Sequence, residues 1–132
     1  MMRRSADATG GEGEIMRTVF IVSDATGATA EQVVAAVLKQ FDASKVKLET
    51  FSHVRREHTI EEIVDRAAEE EALVAHTVVG ERQRSLLQQL CADAGVIDVD
   101  LIGPLIRELG GVLGGQARME PGGQHVVDAE YF

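Results

Sequence analysis

Four short apolar runs, each followed by a longer stretch with helical spacing, occupy residues 18–113 and leave few folds open. The first run, Thr18-Val19-Phe20-Ile21-Val22, is continuous and β-branched, as in a strand covered on both faces. A stripe of Ala30, Val33, Val34, Val37, Leu38 and Phe41 follows at helical spacing. The second run, Val46 to Ser52, alternates apolar and charged residues and predicts a half-exposed strand at a sheet edge. Ile60, Ile63, Val64, Ala67 and Ala68 predict the inward face of the next helix. The third strand is expected over Leu73 to Val79. The third helix should start near Glu81, bury Leu86, Leu87, Leu90 and Cys91, and end at Gly95. Val96 to Ile102 predicts a fourth strand. Gly103-Pro104 then opens a fourth helix with Leu105, Ile106, Leu109, Val112 and Leu113 on its apolar face. Thr29 with Gln32, and Thr59 with Glu62, have the spacing of capping boxes.

Strands that alternate with helices imply parallel pairing through right-handed crossovers. The fold expected is a three-layer α/β/α domain, Rossmann- or flavodoxin-like, with a four-stranded parallel sheet in the order 2-1-3-4. Ligands of such sheets gather beyond the C-terminal strand ends, where the strand order reverses. Here that point lies between the first and third strands. The loop leaving the first strand holds Ser23, Asp24, Thr26, Gly27 and Thr29. Hydroxyls, a glycine and a helix N-terminus together offer several donors to an anion. A tight turn with a cap would need only Gly27 and Thr29. His76 and Thr77 lie within the third strand, where a histidine is ordinarily a satisfied core residue. They would face the same crevice as Ser23 if the strand ended early.

The formal charge of −9 argues against a general nucleic-acid binder, since a phosphate backbone requires clustered positive charge. Against that background His53, Arg55, Arg56 and His58 form a local basic group, either a solvated loop or a rim for an anionic ligand or acidic partner. No apolar run approaches the roughly 20 residues that span a bilayer. Met1 to Met16 carries two arginines without an apolar stretch behind them, which excludes a secretory signal there and reads as a disordered tail. A single cysteine, Cys91, excludes an internal disulfide and makes the cytoplasm the default compartment. No Cys/His cluster has metal-ligand spacing, so no metal site is expected. The P-loop pattern Gly-x-x-x-x-Gly-Lys-Ser/Thr is absent, and its nearest approach, Gly110 to Gln116, lacks the lysine.

The segment Arg17-Thr18-Val19-Phe20-Ile21-Val22-Ser23-Asp24-Ala25-Thr26-Gly27, with Thr29-Ala30-Glu31, resembles the opening of a known family. The likeness continues through His76-Thr77-Val78-Val79 and Asp100-Leu101-Ile102-Gly103-Pro104-Leu105. It reaches Pro121-Gly122, His125, Asp128, Tyr131 and Phe132. The family is that of the regulatory proteins of pyruvate, phosphate dikinase and phosphoenolpyruvate synthase. The resemblance implies a bifunctional enzyme that phosphorylates a threonine of the dikinase with ADP as donor. The same enzyme removes that phosphate by phosphorolysis with inorganic phosphate. ADP and phosphate are thus implied for the full-length family, and no cofactor is expected on this chain. The dikinase or the synthase is the implied partner.

The family's P-loop segment lies beyond the position where this sequence stops, so no catalytic residue carries over. Residues 17–115 are expected to form the N-terminal domain, and 116–132 a truncated linker toward an absent P-loop kinase domain. Gly80-Glu81 departs from the acidic residue and proline of many relatives. Exposed apolar surface near Tyr131 and Phe132 would favour a homodimer. Two other readings of the residues stand beside this one. One is a non-catalytic module that binds an anion or a protein. The other is a phosphatase using Asp24 as nucleophile, suggested by Asp24-Ala25-Thr26-Gly27 after a hydrophobic strand.

Overall fold

A computed structural model describes residues 16–42, 44–115 and 118. The tail read at 1–16 and the linker read at 116–132, His125 included, fall outside them, save Met16 and Arg118. The chain alternates strictly: β1 (Arg17–Ser23), α1 (Ala28–Leu38), β2 (Val46–Phe51), α2 (Glu57–Glu70), β3 (Leu73–Thr77), α3 (Glu81–Ala94), β4 (Asp98–Asp100) and α4 (Gly103–Leu113). All strand pairs are parallel, and the sheet order is β2-β1-β3-β4. The expected α/β layering and strand order are both present.

The side-chain period of two divides the core between the faces of the sheet. Phe20, Val22 and Val74 pack with Ile60, Ile63, Val64 and Ala67 of α2 and with Leu87 and Cys91 of α3. Ile21 and Ala75 meet Ala30 and Val34 of α1 on the other face. β1 carries the first interface through Phe20 and the second through Ile21, both fully buried. Its continuous apolar run is explained by this position at the centre of the sheet.

Several boundaries differ from the sequence reading. β3 ends at Thr77 instead of Val79, and β4 is only Asp98–Asp100. β3 stops because the Val79 N–H turns away to the Asp24 carboxylate. β4 stops because Asp100 turns back to bond the N–H groups of Ile102 and Gly103. Neither capping box forms. Gly27 and Arg56 occupy the N-cap positions, and Thr29 and Thr59 lie inside their helices. The helices begin earlier because the Gly27 carbonyl accepts the Glu31 N–H and the Arg56 carbonyl accepts the Ile60 N–H. Ala68 is exposed. Gly95 and Gly114 end α3 and α4 in the left-handed conformation.

The helical stripes are not all covered. Val33 and Val37 of α1 are exposed, and so are Leu105, Leu109, Val112 and Leu113 of α4. Only Gly103 of α4 is buried. The amphipathic pattern of that helix therefore forms a helix without a partner for its apolar face among the described residues. No described helix is long and apolar enough to cross a membrane.

Candidate functional site

The reversal of strand order between β1 and β3 produces a cavity of about 250 Å³ at the C-terminal end of the sheet. Parallel register brings Ser23 beside Thr77, so the ends of the two strands face one rim. Ser23, Asp24, Thr26, Gly27 and Thr29 line one wall, and Thr77, Val79 and Ile102 line the other. Asp24 is the one ionisable side chain in this lining, and no lysine is present in it.

The loop after β1 is fixed from three directions. The Ser23 carbonyl accepts the Val54 N–H, and the Ala25 carbonyl accepts the His53 N–H, at 2.9 and 2.8 Å. Arg55 donates from Nε and Nη2 to the Asp24 carbonyl at 3.1 and 2.9 Å. The Asp24 Oδ2 accepts the N–H groups of Val79 and Gly80 at 3.0 and 2.9 Å. Asp24 is thereby almost wholly buried, its desolvation offset by charge-assisted bonds to two otherwise free donors.

Within the loop, two hydroxyls act as acceptors. Ser23 Oγ takes the Ala25 N–H at 2.9 Å, and Thr26 Oγ1 takes the Ala28 N–H at 3.2 Å. The turn between them requires Gly27, whose φ of 91° is left-handed. A Cβ built there would approach Thr50 Cγ2 to 2.9 Å. This same turn aims the N-terminus of α1 along the rim.

His76 takes a different position from its neighbour Thr77. It is fully buried, and its Nε2 lies 3.0 Å from Asp98 Oδ2 of β4. It stands apart from the cavity lining, and its Nδ1 is buried without a hydrogen-bond partner. The basic group is likewise dispersed. Arg55 turns to the Asp24 carbonyl, Arg56 is exposed at the start of α2, and His58 lies against Glu62 at 3.1 Å. Sequence reasoning passed over Val79 and Ile102 as lining residues, and Asp98 as the partner of His76. Asp100 was the more legible omission, since an aspartate readily turns its side chain back onto the backbone N–H groups two and three residues on, here those of Ile102 and Gly103. Among the described residues no group of three His, Cys, Asp or Glu could hold a metal ion.

A parallel α/β sheet with a polar cavity at its switch point defines a domain of the doubly wound class. The kinase/pyrophosphorylase family profile matches residues 19–132, and the chain belongs to that family. A relative from Desulfitobacterium hafniense (strain DSM 10664 / DCB-2) is 37% identical over 117 residues, covering 89% of this chain and 43% of the relative. One from Geobacillus thermodenitrificans is 39% identical over 116 residues, covering 88% of this chain and 44% of the relative. One from Listeria welshimeri is 40% identical over 114 residues, covering 86% and 42%. All three carry the provisional name of pyruvate, phosphate dikinase regulatory protein. The chain spans less than half the length of these relatives.

Proposed function

We propose that this chain is the N-terminal domain of a bifunctional serine/threonine kinase and phosphorylase that regulates pyruvate, phosphate dikinase or phosphoenolpyruvate synthase in the cytoplasm. In this reading the whole protein inactivates its target by ADP-dependent phosphorylation of a threonine and restores it by phosphate-dependent removal. The observation that carries it is the family match over residues 19–132, joined to relatives named for the dikinase. Phosphoryl transfer requires nucleotide phosphates, metal and acceptor to be aligned together. The 132 residues contain no P-loop pattern to hold the nucleotide, so the role of this segment is to bind and position.

The test incubates a dikinase with ADP and either the 132-residue chain or the full-length D. hafniense relative. Phosphothreonine is then read by mass spectrometry. Modification by the relative and none by the chain is the expected pair of results. Modification by the chain alone would refute the division of labour. A relative that leaves the dikinase untouched would refute the regulatory reading itself.

A further inference from the structure

We propose that the apolar face of α4 is an interdomain docking surface, covered in the whole protein by the half of the longer relatives that this chain does not match. The inference starts from a helix that the described residues leave almost unpacked. Leu105, Val112 and Leu113 are 62%, 80% and 76% exposed, and Leu109 of the same stripe is exposed with them. The one buried residue of α4 is Gly103, whose N–H is held by Asp100 Oδ1 at 2.7 Å. At 11 residues the helix is shorter than the roughly 12–15 below which isolated helices are marginal in water. Gly110 and Gly111 within it lower its helix propensity further. Helices of this kind draw their stability from packing an amphipathic face, and here that face has nothing against it among the described residues.

The length of the relatives says what covers the face. This chain matches 43% of the D. hafniense relative and 44% of the Geobacillus one, so more than half of each lies outside the match. A segment joined covalently to the domain acts at an effective concentration in the millimolar range, and a modest apolar face suffices to seat it. A second copy of this chain has no such advantage. With 11 residues, α4 is about 16 Å long and about 10 Å wide. Its face is far smaller than the roughly 800 Å² per partner that a stable dimer buries. Leu105 lies less than one helical turn beyond Ile102, which lines the cavity between β1 and β3. A domain seated on α4 therefore stands at the rim of that cavity. The inference rests on the reading of this chain as one domain of the longer regulatory protein.

Thiol labelling tests the proposal. Val112→Cys and, separately, Leu105→Cys are made in the 132-residue chain, and cysteine is placed at the aligned positions of the full-length D. hafniense relative. Each folded protein is treated with a maleimide, and the modified peptides are read by mass spectrometry. In the 132-residue chain both thiols should react as fast as they do in denaturant. In the relative they should react at least about tenfold more slowly, at every protein concentration. Equal rates in the two proteins would overturn the proposal, and so would protection in the relative that is lost on dilution. Protection in the 132-residue chain would also overturn it. Independent of concentration, that result would assign the cover to this chain's own residues; rising with concentration, it would assign it to a second copy. The labelling reads burial alone, so a failure of the regulatory reading, seen in the phosphothreonine assay, is told apart from a failure of this one.

Discussion

The carboxylate of Asp24 accepts the backbone N–H of Gly80 at 2.9 Å, joining the loop after β1 to the start of α3 across 56 residues of sequence. The same oxygen takes the Val79 N–H, so one buried side chain ends β3 and holds the cavity's two walls together. Removing it leaves two part-buried donors unpaired. Asp24→Ala should lower unfolding free energy by about 3 kcal/mol, and Asp24→Asn, which keeps an acceptor, by less. Urea denaturation of the two variants beside the wild type measures the difference; equal losses would show that the N–H bonds are not the cause.

Gly27 combines a left-handed φ of 91° with a 2.9 Å approach of Thr50 Cγ2 to any added Cβ. Gly27→Ala should therefore destabilise by roughly 2 kcal/mol, from backbone strain and crowding together. Thr50→Ser removes the obstructing methyl. Combined with Gly27→Ala it should recover part of the loss in a thermal melt.

Arg66 bonds both oxygens of Glu49 on β2 at 3.0 Å, bonds Glu70 one turn further along α2, and lies over the rings of Phe20 and Phe51. The hydrogen bonds from Arg66 hold the Glu49 carboxyl below its ordinary value of 4.5. A depressed carboxylate contributes stability above its unfolded pKa, and that contribution is lost as pH falls through the folded value. The wild type should thus lose stability below about pH 4.5, and Arg66→Met should show a shallower acid limb. Melting temperatures between pH 3 and pH 7 (a range set by carboxylate titration) would expose parallel limbs if the pair had no such effect.

Burial raises the Cys91 thiol to about 12, with the nearby Asp98 charge acting in the same direction. Below pH 9 the thiol is protonated in the folded and the unfolded chain alike. Between 9 and 12 the unfolded chain ionises first, so folding stability should fall by roughly 1 kcal/mol per pH unit. Cys91→Ala removes this alkaline loss, at the cost of a small core void. At pH 8 the wild-type thiol should react with Ellman's reagent only as fast as the chain opens; prompt reaction would contradict its burial.

The uncovered face of α4 makes an opposite prediction from the core of α3. Leu87 is fully buried, and Leu87→Ala should cost about 3 kcal/mol through lost burial and a residual void. Val112 is 80% exposed, and Val112→Lys should stay within about 0.5 kcal/mol of the wild type. Chemical denaturation ranks the two directly, and a large loss at Val112 would reveal a packing partner for α4.

The parallel α/β architecture was legible because apolar periodicity records which faces of each element are covered. The first strand shows this best: residues Val19 to Val22 are all apolar, and the strand they form is central. Strand ends were less legible. Val79 and Ile102 have strand-like neighbours in sequence, but side chains distant in the chain, or turning back locally, capture the backbone there. The helix starts at Thr29 and Thr59 failed for a related reason, since backbone carbonyls one turn earlier accepted the first helical bonds. α4 marks another boundary. Its stripe predicts a helix correctly and carries no information about what, if anything, lies against it.

At the site, the sequence by itself determined the chemistry on offer: hydroxyls, a glycine and an aspartate after a buried strand, with a helix to follow. Tertiary structure decided how those groups are shared. It gave Asp24 to the N–H groups of Val79 and Gly80, set Thr77 at the cavity, and turned His76 away toward Asp98. Adjacent residues of a strand point to opposite faces, so the parity of position along β3 separates Thr77 from His76, and the register with β1 sets Thr77 beside Ser23. That parity is fixed only when both faces of the sheet are packed.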